Sequence, residues 1–194
     1  MRHDPDYIVI GEMRDGETVE TALKAAESGH TVTSTVHADT AVQTFERLRS
    51  LIPPERDRSL TFTLAQQVRA IMNQRLVKTL CQGCAHRSQA GRILDPAQLH
   101  RLGIKDQQDV RLHNPSGCDL CNRTGIGGRT VLLDALMINL GPSKRNTIYE
   151  TLMRNVNDII TVDGVISHSR HDGLIDLIMS GLIDPRSALS YLET

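Results

Sequence analysis

Tyr7-Ile8-Val9-Ile10-Gly11-Glu12 decides the reading of this chain. Ile8-Val9-Ile10 is β-branched throughout, with Pro5 ahead and Gly11 behind, which predicts a short buried strand. Glu12 then stands at the carboxyl end of that strand. In an open α/β sheet, ligands bind outside the carboxyl ends of the strands. An acid there is a candidate to hold Mg²⁺ or to orient water in phosphoryl transfer. The competing reading is a solvated strand-end glutamate. Strands of the Walker B kind usually end in Asp or Asp-Glu, and Gly11 departs from that pattern.

The residues after Glu12 fit a parallel sheet. Asp15-Gly16 breaks the chain, and Glu17 to Ser28 reads as a helix with Val19, Ala22, Leu23 and Ala26 on one side. Gly29 is placed to end it. Thr31 to Val36 is a second β-branched strand ending at His37, so strand, helix and strand make a βαβ unit in under 40 residues. If the strands are parallel neighbours, His37 emerges at the same sheet edge as Glu12, where a histidine can contact or sense a phosphate. His30 stands at the other end of that strand. For either histidine the alternative is a ring merely satisfied at a strand end. Arg14 and Asp15 are a phosphate-facing arginine with its partner, or a loop ion pair of little energetic weight.

Beyond His37, helices are expected over 40–51 (Val42, Phe45, Leu48) and 60–72 (Leu64, Val68, Ile71), separated by Pro53-Pro54. Arg75 to Leu80 alternates as a strand and runs into Cys81. Residues 85–117 are polar, with one helical patch at 96–102, and read as an inserted module. Gly125 to Gly128 is expected to be a turn, followed by a strand over 130–137. Helices are expected near 146–153 and 172–179, and a last one begins at Asp184-Pro185.

Cys81-Gln-Gly-Cys84 and Cys118-Asp-Leu-Cys121 form two CxxC units 33 residues apart. Each CxxC turn can present two thiolates to one point, and zinc takes four such ligands in a tetrahedron. The spacing exceeds that of a compact ribbon, so the intervening loop must form its own knuckle. Redox-active pairs and unpaired buried thiols are the rival readings. His86 and His113 lie near enough in sequence to be rival ligands, but four thiolates already complete a closed, structural shell.

Composition excludes several classes. A net charge of −1, three Tyr, two Phe and no Trp supply neither the basic surface nor the stacking platform of a nucleic-acid binder. No apolar run approaches the ~20 residues of a membrane span, and the N-terminus lacks a secretory signal, so a cytoplasmic location is expected. No Gly-Lys dipeptide occurs in the 194 residues. The phosphate loop G-x-x-x-x-G-K-[ST], with its backbone amides and lysine, is therefore not among them. The chain reads as the later half of a nucleotide-hydrolysing motor.

Together these residues resemble a known group. Asp4-Pro-Asp6-Tyr-Ile-Val-Ile-Gly-Glu12-Met-Arg-Asp15 is similar to the atypical Walker B of the type II secretion and type IV pilus assembly ATPases (the GspE/PulE/PilB group), in which the strand ends in Gly-Glu. Ser28-Gly-His30 through Ser34-Thr-Val-His37-Ala-Asp resembles the group's His box. Gln74-Arg-Leu-Val leading to Cys81, and Cys118 to Cys121 followed by Thr124-Gly-Ile-Gly-Gly-Arg129-Thr, resemble the approach to and exit from its zinc knuckle. Asp172-Gly-Leu also fits. Asp134 stands where the group has glutamate, and residues 141–168 match least well.

The resemblance implies the C-terminal part of a RecA-like P-loop NTPase domain, with an inserted zinc-binding knuckle and C-terminal helices. The expected division is a partial motor over 1–80, a zinc insertion over 81–121 and a strand with helices over 122–194. Glu12 maps onto the catalytic glutamate, His37 and His30 onto the His-box histidines, and Arg14 and Asp15 match the motif. Cys81, Cys84, Cys118 and Cys121 map onto the ligands of a structural Zn²⁺. ATP and Mg²⁺ are implied for an intact member, as are a hexamer of such subunits and an inner-membrane secretion or pilus platform. The residues preceding position 1 in that group carry its N-terminal domain, Walker A and Asp box, so the chain alone is expected to be inactive and only marginally stable. A second expectation, from a different class, is a zinc-dependent interaction module that docks on an intact ATPase hexamer. A thiol-redox protein is a third.

Overall fold

The computed structural model describes residues 5–192, so Asp4, at the start of the Walker-B-like run, lies outside the described residues. Fourteen principal elements follow in the order β1 (Tyr7–Ile10), α1 (Gly16–Glu27), β2 (Thr31–Ser34), α2 (Ala41–Leu51), α3 (Asp57–Gln67), β3 (Ala70–Leu80), β4 (His86–Gln89), α4 (Pro96–Leu102), β5 (Asp109–Leu112), β6 (Ile126–Ile138), α5 (Asn146–Arg154), β7 (Val165–His168), α6 (Arg170–Met179) and α7 (Pro185–Leu192). β1 pairs with β2 in parallel, with Tyr7 opposite Thr31 and Ile10 opposite Ser34. β3, β6 and β7 form a three-stranded sheet with β6 central, and β4 pairs antiparallel with β5. The chain forms two compact units, one from residues 1–73 and 135–167, the other from 74–134 and 168–194.

In the first unit, α1 starts where Asp15 accepts a hydrogen bond from the Thr18 amide (2.8 Å), and it ends at Gly29 in the left-handed region (φ 96°). Thr40 caps α2 through the Gln43 amide at 3.1 Å. Val19, Leu23, Phe45, Leu48, Leu64, Leu136, Ile148 and Ile159 pack as one core. Pro53-Pro54, the expected break between the two helices, opens a short 3₁₀ turn over Pro54–Arg56 between α2 and α3. A Cβ at Gly16 would lie 2.5 Å from the Leu51 carbonyl and 3.0 Å from Pro53, so only glycine lets α1 begin against this turn.

Two expectations need correction here. The stretch 60–72 is not one helix: α3 ends at Gln67, and Ile71 already belongs to β3. Leu64, Val68 and Ile71 fit a helical stripe, but residues 70–80 also alternate, and pairing in the sheet decides for strand. The strand Ile8-Val9-Ile10 forms but is not buried; Tyr7 and Val9 are 75% and 79% exposed. A parallel sheet is normally covered on both faces, and among the described residues the β1–β2 pair has one bare face.

The end of α3 is held by a residue the sequence did not flag. Arg145, 2% exposed, donates from Nη1 to the carbonyls of Ala65, Gln66 and Val68 (3.1, 3.0 and 2.8 Å) and from Nε to Leu140 (3.1 Å). The last carbonyls of a helix have no intrahelical partner, and a guanidinium meets several at once. Burial, with Arg69 nearby, holds its pKa below the usual arginine value.

The second unit has its own core of Val77, Leu94, Leu102, Val110, Leu132, Leu174 and Ile178. α4 matches its expected bounds, and Asp95 and Gln98 close a capping box with proline at the first turn. The strands β4 and β5 were not expected; HRSQ and DVRL are too polar to announce themselves, and pairing with each other makes them strands. β6 begins at Ile126, four residues before the expected start, because only Gly125 (φ 70°) of the glycine run belongs to the turn. β7 was also not anticipated. Asp184 is 3% exposed and accepts hydrogen bonds from the His113 amide (2.9 Å), the Arg186 amide (2.9 Å) and the Arg186 guanidinium (3.0 and 2.6 Å). Burial opposes its ionisation, but these donors outweigh burial and hold its carboxyl below the usual range.

Replacing Arg145 leaves buried carbonyls without donors. Arg145→Met is expected to destabilise the chain by about 3 kcal/mol in equilibrium denaturation, with no change at the Glu12 site.

Candidate functional site

Register places the first site. Beyond the β1–β2 pairs, the Met13 amide donates to the Thr35 carbonyl (3.0 Å) and the Thr35 hydroxyl to the Gly11 carbonyl (2.6 Å). The two strands therefore stay together past their last paired residues, and their ends carry Glu12 and His37 to one point. His37 Nε2 lies 3.3 Å from Glu12 Oε1, and the Arg14 guanidinium lies 2.6 Å from Glu12 Oε2. The Glu12 side chain is 20% exposed, against 89% for His37. The hydrogen bond from Arg14 holds the Glu12 carboxyl below its usual range, with the charges of Arg14, His37 and Arg47 acting in the same sense. Such a carboxylate is ionised at neutral pH and able to accept a proton or orient a water.

Of the other residues singled out, Asp15 caps α1 through the Thr18 amide. His30 is at the far end of β2, where Nδ1 donates to the Ala25 carbonyl (3.0 Å) and meets Ser28 Oγ (2.9 Å), closing the turn after α1. Arg47 was missed: it is one exposed position of an ordinary amphipathic helix, and only the fold brings its charge to bear on Glu12.

The second site lies in the second unit. The sulfurs of Cys81, Cys84, Cys118 and Cys121 all lie within 4.8 Å of one another. Three of the separations are 3.8, 3.9 and 3.8 Å. A tetrahedral ion with bonds of about 2.3 Å would set its sulfurs about 3.8 Å apart, so these four residues could hold a metal ion. Local backbone prepares the second pair: Cys121 Sγ accepts from the amides of Cys118 (3.1 Å) and Gly125 (3.2 Å), with Asn122 and Arg123 both left-handed. Those bonds, the Cys118 amide first, draw the Cys121 thiol down to about 6, whereas burial and its three neighbours push Cys84 up to about 12. Four sulfurs this close cannot all be thiolates without a cation among them. His113, the rival ligand, instead meets the Thr124 carbonyl through Nε2 at 2.9 Å, and His86 starts β4 outside the cluster.

The mixed α/β architecture is that of an ATPase domain. The pilus retraction motor PilT, solved with bound ADP, matches over 97% of this chain and 40% of its own at 27% identity and a TM-score of 0.63. The Legionella pneumophila ATPase DotB matches in fold over 99% of this chain, at 18% identity and a TM-score of 0.64. The model of the type II/IV secretion system protein family matches residues 1–174, and the chain belongs to that family. Type II secretion system protein E of Pectobacterium carotovorum is 36% identical over 140 residues, which are 72% of this chain and 26% of that protein. The type IV pilus assembly ATPase PilB of Pseudomonas aeruginosa is 33% identical over 196 residues, all of this chain and 31% of PilB. The chain thus spans about a quarter to a third of the length of these relatives. Among the described residues no helix is long and apolar enough to cross a membrane.

Elemental analysis of the purified chain is expected to find one metal ion per molecule, lost in Cys121→Ser. Chelation should speed amide exchange across residues 80–126 by about tenfold or more.

Proposed function

We propose that this chain is the catalytic-glutamate and metal-knuckle portion of a RecA-like motor that couples ATP hydrolysis to the assembly of pilins or pseudopilins. The observation that carries the reading is the convergence of Glu12 and His37 at the carboxyl ends of two parallel strands, with Arg14 closing on the carboxylate. Glu12 would orient the attacking water, and His37 would read the γ-phosphate from the adjoining strand. Arg14 keeps Glu12 ionised and offers a positive charge to a phosphate. Asp15 and His30 support these positions from α1 and its turn and need not touch nucleotide.

Cys81, Cys84, Cys118 and Cys121 would hold a structural Zn²⁺, whose closed shell leaves no position for substrate. ATP with Mg²⁺ is the nucleotide expected in the assembled motor. Its subunits would form a hexamer at the cytoplasmic face of the inner membrane, on the platform of a secretion or pilus machine. A second reading is a zinc-dependent module that docks on intact ATPase subunits; the separate core of the second unit favours it. A pull-down with a full-length homologue, with and without chelator, tests that reading; association that survives chelation counts against it.

The 194 residues contain no Gly-Lys dipeptide, and without phosphate-loop amides and lysine both positioning and charge neutralisation fail. The chain by itself is expected to turn over Mg²⁺-ATP no faster than buffer. Robust hydrolysis that is abolished by Glu12→Gln would overturn this expectation of inactivity.

A further inference from the structure

The two CxxC turns are held in different ways. The second is fixed from within, by amides donating to the Cys121 sulfur and by the Thr124 hydroxyl donating to the Cys121 carbonyl at 2.6 Å. The first closes on itself only through backbone, the Cys84 and Ala85 amides donating to the Cys81 carbonyl (3.4 and 2.9 Å), and is gripped from outside by one side chain. Arg111, on β5, donates from Nη2 to the carbonyls of Gln82 (3.1 Å) and Ala85 (3.3 Å), and from Nη1 to the Gln82 side-chain oxygen. Gln82 lies between the two ligands of this pair and Ala85 directly after them, so one guanidinium spans the turn. Arg111 Nε is buried without a hydrogen-bond partner.

The stem of Arg111 reaches the turn across Gly181, between α6 and α7. Gly181 is left-handed (φ 68°), and a Cβ there would come within 2.7 Å of Arg111 Cδ, so any other residue would displace the stem. The next residue joins the same contact, because the Leu80 amide donates to the Leu182 carbonyl at 2.7 Å immediately before Cys81.

We infer that Arg111, seated over Gly181, is a positioning residue for the four-cysteine site: its fork fixes the Cys81–Cys84 turn, so that the turn after α6 governs how firmly the metal is held. The inference rests on the reading of that cluster as a zinc site. Neutralising the fork leaves the four ligands intact but frees the first turn to rotate its sulfurs away. Lysine retains the charge and most of the stem, but a single ammonium cannot hold two carbonyls in the planar, forked geometry of a guanidinium.

The test uses the full chain loaded with Zn²⁺, following release to excess EDTA with a chromophoric chelator well below the melting temperature. Residues around metal ligands typically alter affinity by 10–100-fold. Arg111→Met and Gly181→Ala are each expected to release Zn²⁺ roughly tenfold faster or more, with Arg111→Lys recovering only part of the loss. Gln82→Ala, which keeps the backbone carbonyl, should release at close to the parental rate. In Co²⁺-loaded protein, Arg111→Met should shift the ligand-field bands while far-ultraviolet circular dichroism stays unchanged. Where Arg111→Met does not fold, Arg111→Lys and Gly181→Ala decide the matter. Parental release rates and Co²⁺ bands in every folded variant would overturn the inference. A parental chain that binds no Zn²⁺ would instead overturn the zinc reading beneath it.

Discussion

The parallel register of β1 on β2 is the constraint on which the candidate site depends. Pairing Ile10 with Ser34 leaves one residue before Glu12 and two before His37, and both then leave the sheet at the same end. An antiparallel pair would have placed them at opposite ends. Parallel pairing requires a crossover, and α1 supplies it in 12 residues, started by Asp15 and stopped by Gly29. The residues that read as motif neighbours are therefore partly scaffold. Asp15 and His30 fasten the two ends of the crossover, while Arg14 and His37 touch the carboxylate.

A four-cysteine cluster that could hold a metal ion plays the corresponding part in the second unit. Its polar sequence buries a modest core, and four sulfurs at near-tetrahedral spacing lie where the end of β3 meets the start of β6. Around them Arg111, Asp184 and Thr124 spend their donors and acceptors on backbone groups of the knuckle and its neighbours. The C-terminal residues are thereby tied to the cysteines: Gly181 lies under Arg111, Leu182 receives the Leu80 amide, and Asp184 receives the amide of His113.

Much of this was legible in the sequence, for physical reasons. The β-branched runs around Val9 and Val32, the break at Asp15-Gly16, the helix stop at Gly29, the start of the last helix at Asp184-Pro185, and the CxxC spacing each state a local preference that the fold obeys. What escaped depended on distant partners. Val68 and Ile71 satisfy a helical stripe and a strand alternation equally, and only sheet pairing chooses. The strands HRSQ and DVRL have no apolar pattern until they meet. Arg145 reaches carbonyls about 80 residues away, and Arg111 a turn 26 to 29 residues away. Arginines on ordinary polar positions give no sign of such contacts. The exposure of Tyr7 and Val9 was hidden for a related reason, since burial of a strand depends on what covers it.

The central claim is that Glu12 serves a phosphate presented by other residues of a motor. It is tested most directly by replacing the aligned 31% of Pseudomonas aeruginosa PilB with this chain and measuring Mg²⁺-ATP hydrolysis by the chimera. The account predicts turnover that Glu12→Gln lowers by roughly 100-fold or more, since loss of a positioned base or water-orienting group costs about 10²–10⁴ in rate. Equal turnover by the chimera and its Glu12→Gln variant would contradict it.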